Sequence, residues 1–424
     1  MRFIYSCLFY SLVPIILLRL LWRSIKAPDY RKRWLERFAW YGKSFPKIDF
    51  WFHAVSVGEA EALFPLVRKI QQDHPEIRLL ITTTTPTGSA RVKSILKHSV
   101  EHVYLPYDMP DAVHRFIDCF KPKVAVILET EIWPNLFAGC GQHKIPLYII
   151  NARLSEKSSR GYQKIPWLVK PTLANVHLVG TQTEEDAARF FAIGANPGKV
   201  KTLGNIKFDV EIAQSVIDQG HRLKAELFAG RFVWLIASTH QGEEAIFLEI
   251  YRKLQKKIPE LLLVIVPRHP ERFNDVKKLC GSHHCAVVTR TSKRAVDKTI
   301  DVYLVDSMGE LKMFYAAADI AFVGGSMVPT GGHNILEAAA VGVPLMFGPY
   351  MANFKDIATG VLKQQAAIQC HNGADLFDAT LALYDSPAQR QALSEKGKTF
   401  LAQNQGAMMR IYSIFEPYFQ RAAG

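Results

Sequence analysis

Three glutamates in this 424-residue chain follow a Ser or Asn by three places at what reads as a strand-to-helix junction. They lie in Ser56-Val57-Gly58-Glu59, Ser307-Met308-Gly309-Glu310 and Asn334-Ile335-Leu336-Glu337. The spacing fits a capping box, in which the cap side chain and the Glu each bind an orphan backbone N–H of the first helical turn. The same junctions point free N–H groups and the positive end of a helix dipole toward the carboxyl edge of a parallel sheet. Ligand crevices form at that edge, and such a junction suits a phosphate. A carboxylate there is a cap or a catalytic group, and spacing leaves both readings open. A helix N-terminus lowers a carboxyl pKa, whereas burial beside Phe52 or Phe64 raises it, so for Glu59 the two effects oppose each other.

The third junction is preceded by a Gly-rich loop, Val323-Gly-Gly325-Ser-Met-Val-Pro-Thr-Gly331-Gly332-His333, whose glycines allow backbone to approach an anion closely. It is neither GxGxxG nor a P-loop, so dinucleotide and Walker-type sites are excluded. Pro267-Arg268 ends a buried run with a cation that can hold a phosphate bidentately. Ser238-Thr239-His240 occupies the equivalent edge, where His240 is a ligand contact or a loop histidine. Six scattered cysteines include no CxxC pair, which suits a reducing compartment. The Cys280-Gly-Ser-His-His-Cys285 cluster has no second ligand group and reads as a helix end before a strand. The chain has no DxD, HExxH or GxSxG, so a divalent cation held by paired aspartates and a nucleophile elbow are not expected.

The elements that must position these residues alternate. Apolar runs at 50–55, 78–85, 103–107, 123–128, 146–151 and 176–180 read as strands with helices between them, the first being Ala60 to Ile70. The pattern pauses at Gly204–Asp209 and a polar helix over 210–228. It restarts with strands at 232–238, 261–266, 286–289 and 319–324. Such alternation predicts α/β units with parallel sheets and right-handed crossovers. The length exceeds what one core supports. The expected domains are 1–22, 23–209, 210–400 and a C-terminal helical segment 401–424, the two large ones Rossmann-like and facing a cleft.

Residues 3–22 are apolar apart from two serines and Arg19, marginally long enough to span a bilayer and interrupted by Pro14. No small-residue cleavage site follows, so a membrane anchor is expected, with a signal-anchor and a deeply seated monotopic helix both open and a buried core helix as the alternative. Of the formal +13, the first fifty residues hold ten Lys/Arg against Asp29, Glu36 and Asp49, a net +7. This concentration points to an anionic membrane surface rather than a nucleic acid, and the basic run after residue 19 keeps the body cytoplasmic.

Taken together, HAVSVGEAEAL, TTTTPTGSARV, HVYLPYDMPDA, ETEIWPN, NARLSEKSSRGY, GNIKFD, VPRHPERF, DSMGEL, FVGGSMVPTGGHNILEAA and the late NQGA span nearly the whole chain. In that order they resemble the lipopolysaccharide Kdo (3-deoxy-D-manno-octulosonic acid) transferases. The resemblance implies a GT-B fold and inverting, metal-independent transfer from CMP-Kdo to the lipid A precursor lipid IVA, at the cytoplasmic face of the inner membrane, with no cofactor. By motif, Glu59 is the expected general base, and Glu129 and Lys207 assist the transition state. Pro267, Arg268, Met308, Gly309, Glu310, Asn334, Ile335, Leu336 and Glu337 are expected to line the CMP pocket. A sugar hydroxyl needs a positioned base, whereas the CMP phosphate leaves readily once its charge is compensated. Arg153, Lys157 and Arg160 are candidates for acceptor phosphates. Another GT-B nucleotide-sugar transferase, a related epimerase and a non-enzymatic membrane-bound adaptor are the alternatives.

Overall fold

A computed structural model describes residues 1–420, which form two compact α/β units. The first runs from Met1 to Asp209 and takes back the chain from Gln405; the second is Val210–Asn404. In the first unit, strands β1 (Phe50–His53), β2 (Leu79–Thr83), β3 (Glu101–Tyr104), β4 (Val124–Leu128), β5 (Leu147–Ala152), β6 (Val176–Thr181) and β7 (Val200–Thr202) form one sheet. Its order is β3-β2-β1-β4-β5-β6-β7, and every pairing is parallel. The order reverses between β1 and β4, and the crevice outside that switch point is where a doubly wound sheet binds its ligand.

Alternation along β1 explains why this strand is central. Phe50 and Phe52 enter the core on one face of the sheet and Trp51 the core on the other, all essentially inaccessible to solvent. Burying each contributes about 2–3 kcal/mol. The face holding Phe50 is closed by the last helix, Ala407–Phe419, through Ile411, Phe415 and Phe419. That segment is therefore part of the first unit, not a separate C-terminal piece, and the helix Pro387–Asn404 runs across the expected boundary at 400. Asp209 fixes the return, its carboxylate accepting Gly406 N–H (2.5 Å) and Met408 N–H (2.6 Å).

The N-terminal helix, Arg2–Lys26, is long and apolar enough to cross a membrane. One face is docked. Ser6 Oγ donates to Asn135 Oδ1 (3.1 Å), the Tyr10 hydroxyl bonds Asp111, and Phe9 and Val13 pack on the core. The other face leaves Phe3, Leu8, Ile15, Leu18 and Trp22 exposed. It is thus not a buried core helix.

In the second unit, β8 (Phe232–Thr239), β9 (Leu261–Pro267), β10 (Val287–Thr289), β11 (Val302–Leu304), β12 (Ile320–Val323), β13 (Leu345–Phe347) and β14 (Ile368–Gln369) form a sheet. The order is β10-β11-β9-β8-β12-β13-β14, again all parallel. Strands β7, β11, β13 and β14 were not expected; each is two or three residues long, too short for a periodic signal. Cys280 and Cys285 lie in this core, at the end of the helix Phe273–Ser282 and before β10.

The switch point here lies between β8 and β12, and two adjacent carboxylates of the helix Glu243–Leu254 hold it together. Glu243, fully buried, accepts four backbone N–H groups: His240 (3.0 Å) and Gly325 (2.7 Å) at Oε2, Ser326 (3.0 Å) and Met327 (2.8 Å) at Oε1. Glu244 binds the Thr239 hydroxyl (2.7 Å) and takes both Arg272 terminal nitrogens (2.5 and 3.1 Å). Gly324 is required because a Cβ would sit 2.8 Å from the Ala237 carbonyl oxygen. Replacing Glu243 by Gln leaves one oxygen for four donors. We expect Glu243→Gln to lower stability by about 2–4 kcal/mol, read as a depressed unfolding midpoint, while exposed Glu226→Gln changes it by less than about 0.5 kcal/mol.

Candidate functional site

The first unit's site is built from two strand ends. After β1, Ser56 caps the helix Val57–Asp73 by accepting Glu59 N–H (3.4 Å). The Glu59 carboxylate returns to Val55 N–H (2.8 Å) and accepts the Ser56 hydroxyl (2.9 Å). It thus caps, but one residue earlier than a capping box requires. After β4, Glu129 takes a left-handed backbone (φ +55°) and donates its N–H to Ile150 (3.0 Å). Such a conformation in a non-glycine residue costs on the order of 1–3 kcal/mol and is kept where surroundings enforce it. The following loop is held by buried Asp108, which accepts Asn135 N–H (3.0 Å) and Leu136 N–H (2.7 Å). Burial pushes the Asp108 carboxyl up to about 6 against those bonds.

Lys207 comes from a third segment. Asn151 Oδ1 accepts Ile206 N–H (3.0 Å) and Asn205 Oδ1 accepts Lys207 N–H (2.9 Å), fixing a short turn. Lys207 Nζ then meets Glu129 Oε1 at 3.2 Å, both groups partly shielded. The three residues singled out by motif therefore converge on one crevice edge, with Glu129 and Lys207 in direct contact.

Glu59, Glu129 and Glu131 line a cavity of ≈ 220 Å³ with Arg153, Ser158 and Tyr162. Burial pushes the Glu59 carboxyl above its ordinary value. Its bonds to Val55 and Ser56 and the charge of Lys207 oppose this, and Glu129 adds to it. Burial thus wins over the local hydrogen bonds and the Lys207 charge. Glu131, which the sequence did not single out, is pushed up to about 7 by burial. The hydrogen bond from Trp133 Nε1 (2.7 Å) opposes the shift, and the charges of Glu59 and Glu129 reinforce it. Its signal was the second acid of Glu129-Thr-Glu131: two residues on, it reaches the same cavity. Of the three cations proposed for acceptor phosphates, Arg153 lines the cavity, Arg160 pairs with Glu156 (2.5 Å) and Lys157 is exposed.

In the second unit, the expected nucleotide residues share the carboxyl edge of one sheet. Pro267 ends β9 and Arg268 follows it, Met308 to Glu310 follow β11, and Asn334 to Glu337 follow β12. Lys312 Nζ joins the last two segments, lying 3.9 Å from Glu337 Oε1. Arg268 is exposed, and its guanidinium has no carboxylate partner among the described residues, whereas Arg272 is committed to Glu244. Met308 is exposed, while Ile335 and Leu336 are buried.

Two capping boxes are corrected. Glu310 is itself the cap residue of the helix Leu311–Ala316, and its carboxylate binds Arg290 (2.9 Å) and the Ser307 hydroxyl. Burial opposes ionisation there, but those bonds and the Arg290 charge prevail and hold the carboxyl below its ordinary value. Asn334 Oδ1 accepts Leu336 N–H (3.0 Å), a turn two residues wide, and the helix Leu336–Val341 starts too late for a box with Glu337. The Gly-rich loop is corrected as well: its amides at Gly325, Ser326 and Met327 serve Glu243, so they are not a vacant phosphate cradle.

His240 is not a free loop histidine. Its Nε2 lies 2.8 Å from His333 Nε2, the rings stacked at 5.0 Å, with His269 at 5.3 Å from His240. That bond needs one protonated and one bare nitrogen, so both rings cannot be cationic. Burial pushes His333 down to about 4, helped by His240, Arg268 and His269. Burial likewise lowers His240, with His269 and Arg268 adding to it. Arg268 is therefore the permanent charge beside a neutral imidazole pair.

Comparisons with known proteins identify the family. Residues 32–210 match the family described as 3-deoxy-D-manno-octulosonic-acid transferase (Kdo transferase). The chain is 39% identical over 423 residues to the 3-deoxy-D-manno-octulosonic acid transferase of Haemophilus influenzae, covering 99% of both chains. It is 35% identical over 377 residues to the Bordetella pertussis enzyme of the same name, covering 87% of each. Among solved structures, UDP-GlcNAc 2-epimerase from Neisseria meningitidis bound to UDP-GlcNAc has a TM-score of 0.55 at 15% identity. The match covers 89% of this chain and all of that one, a likeness of fold that places the two parallel sheets in the GT-B class. With the Glu59, Glu129 and Lys207 motifs in one crevice and two relatives matched over most of their length, the chain belongs to the 3-deoxy-D-manno-octulosonic acid (Kdo) transferase family.

Proposed function

We propose that this Kdo transferase uses CMP-Kdo as donor and lipid IVA as acceptor, with inversion and without a metal ion. The observation that carries the reading is Glu59, a shielded carboxylate at the β1/β4 switch point whose proton affinity is raised by burial. A carboxylate so placed is a stronger base than one in water, which an acceptor hydroxyl requires. Lys207, held against Glu129, supplies positive charge at the same crevice as charge redistributes in the transition state. On the second unit, Arg268 is suited to the CMP phosphate, a bidentate partner that needs no carboxylate to hold it. Asn334 and Glu337 present a polar edge for the nucleoside, Glu337 as an acceptor for ribose hydroxyls. The chain has no Asp-x-Asp pair to position a cation, which leaves charge compensation to Arg268 and Lys207.

The N-terminal helix is the natural membrane contact. Because one face is bonded to Asn135 and Asp111, we read it as lying along the cytoplasmic surface of the inner membrane, its exposed Phe3, Leu8, Ile15 and Trp22 in the lipid. The exposed Arg2, Arg19, Arg23 and Arg31 are suited to anionic headgroups, whereas Arg33 pairs with Glu36 and Arg37 is buried. Loss of residues 2–22 should release the chain from membranes; full retention in the pellet would overturn the reading. A protease site placed ahead of Met1 should be cut from the side that bears the body, whereas a crossing helix would hide it.

Glu59→Gln keeps an oxygen for Val55 N–H, so the fold should survive while transfer to lipid IVA, followed by mass spectrometry of the lipid, falls by about 10²-fold or more. A near-normal rate would make Glu59 a cap alone. Glu131 gives an independent test through stability. Its carboxyl stands at about 7 in the folded protein against an ordinary 4.5, so between those values the folded state binds the extra proton. Stability from this group is complete below about 4.5 and is lost as pH rises through about 7. Glu131→Gln should therefore gain on the parent by about 1–3 kcal/mol between pH 5 and 8, measured by thermal unfolding across that range.

A further inference from the structure

A groove in the second unit is used by none of the chemistry above. It lies between the helices Glu243–Leu254 and Gly373–Asp385 and encloses ≈ 680 Å³, within the range of small-molecule sites. Its apolar lining comes from Ile246, Ile250, Ala374 and Phe377. Gly373 leaves that floor open, since a Cβ there would already be 3.5 Å from Ile250 Cδ1 and 3.9 Å from Ile246 Cγ2. The two helices run in the same direction: Gly373 lies beside Ile246 and Ile250, and Tyr384 at the far end donates to Glu260 (2.5 Å).

The polar groups are unevenly placed along this groove. Lys253, Lys256 and Lys257 fall within five positions at the end of the first helix, all exposed and none ion-paired among the described residues. Glu249 and Asp378 are the acidic members of the lining, one a helical turn before the lysines and the other beside Phe377. Three ammonium groups against two separated carboxylates leave the lysine end positive. A neutral apolar ligand would make no use of those cations, and a nucleotide would set its polar base on Ile246, Ile250 and Phe377.

We propose that this groove binds a single-chain amphiphile with a phosphate head: the alkyl chain lies over Ile246, Ile250 and Phe377, and the head meets Lys253, Lys256 and Lys257. The occupant is drawn from the membrane on which the chain sits. The test uses the full chain in phosphatidylcholine nanodiscs and octyl phosphate carrying a photoreactive diazirine on its chain. Cross-links should map to peptides holding residues 246–257 and 373–378. Unlabelled octyl phosphate should displace them, and octyltrimethylammonium should not. Labelling should fall at least five-fold in the triple variant Lys253→Gln/Lys256→Gln/Lys257→Gln, whose unfolding midpoint should match the parent because all three side chains are exposed. Gly373→Ala, which adds the missing methyl to the floor, should reduce labelling without touching the lysines. Labels confined to other peptides, equal displacement by the cationic amphiphile, or undiminished labelling of the triple variant would each overturn the proposal.

Discussion

Backbone N–H groups at the carboxyl ends of parallel strands have no strand partner, and in both units a shielded glutamate answers that need. Glu243 collects four of them and joins the ends of β8 and β12. Glu59 takes one, from Val55 at the end of β1. A buried amide left without a partner costs about 1–3 kcal/mol. A carboxylate at a switch point is therefore first a structural necessity, and chemistry is added where its capacity is not exhausted.

That capacity separates glutamates which look alike in sequence. Glu243 has both oxygens saturated by amides and is closed to solvent. Glu310 is neutralised by Arg290, which keeps it an anion and a poor base. Glu59 has one amide and one hydroxyl, faces a cavity, and has a raised proton affinity. Of these three it alone combines accessibility with basicity, and Glu131 in the same cavity shares both properties. The Lys207–Glu129 pair next to it compensates charge without quenching Glu59 directly.

Much of this was legible before the fold was known. The buried strands β1, β4, β8 and β9 announced themselves as continuous apolar runs, and the junctions after them carried Glu59, Glu129 and Arg268. The short strands did not, because two or three residues carry no period. Nor did the partners of the Gly-rich loop. Glu243 is eighty-odd positions away and its adjacency to Gly325 is set by strand order alone. The His240–His333 pair was hidden for the same reason: each histidine is ordinary locally, and only the β8/β12 neighbourhood joins them. Glu310 shows the converse limit, since a fitting Ser-x-x-Glu spacing was overridden by an arginine twenty positions upstream.

The return of the chain to its first unit bears on how the protein is made. Phe50 and Tyr148 are covered by Phe415 and Tyr418, residues that follow the whole second unit. At about 5–20 residues per second, a ribosome needs on the order of 10–40 s to pass from Asp209 to Gln405. Throughout that interval one face of a seven-stranded sheet carries uncovered aromatic rings, and the Asp209 carboxylate waits for the amides of Gly406 and Met408. The helix Arg2–Lys26 precedes this sheet in the chain, so on the membrane reading proposed above the nascent chain would have a lipid contact before this sticky face exists. Early tethering at the bilayer would hold successive chains apart while the sheet is unfinished, and the proposed anchor would then safeguard biogenesis as well as serve to meet substrate.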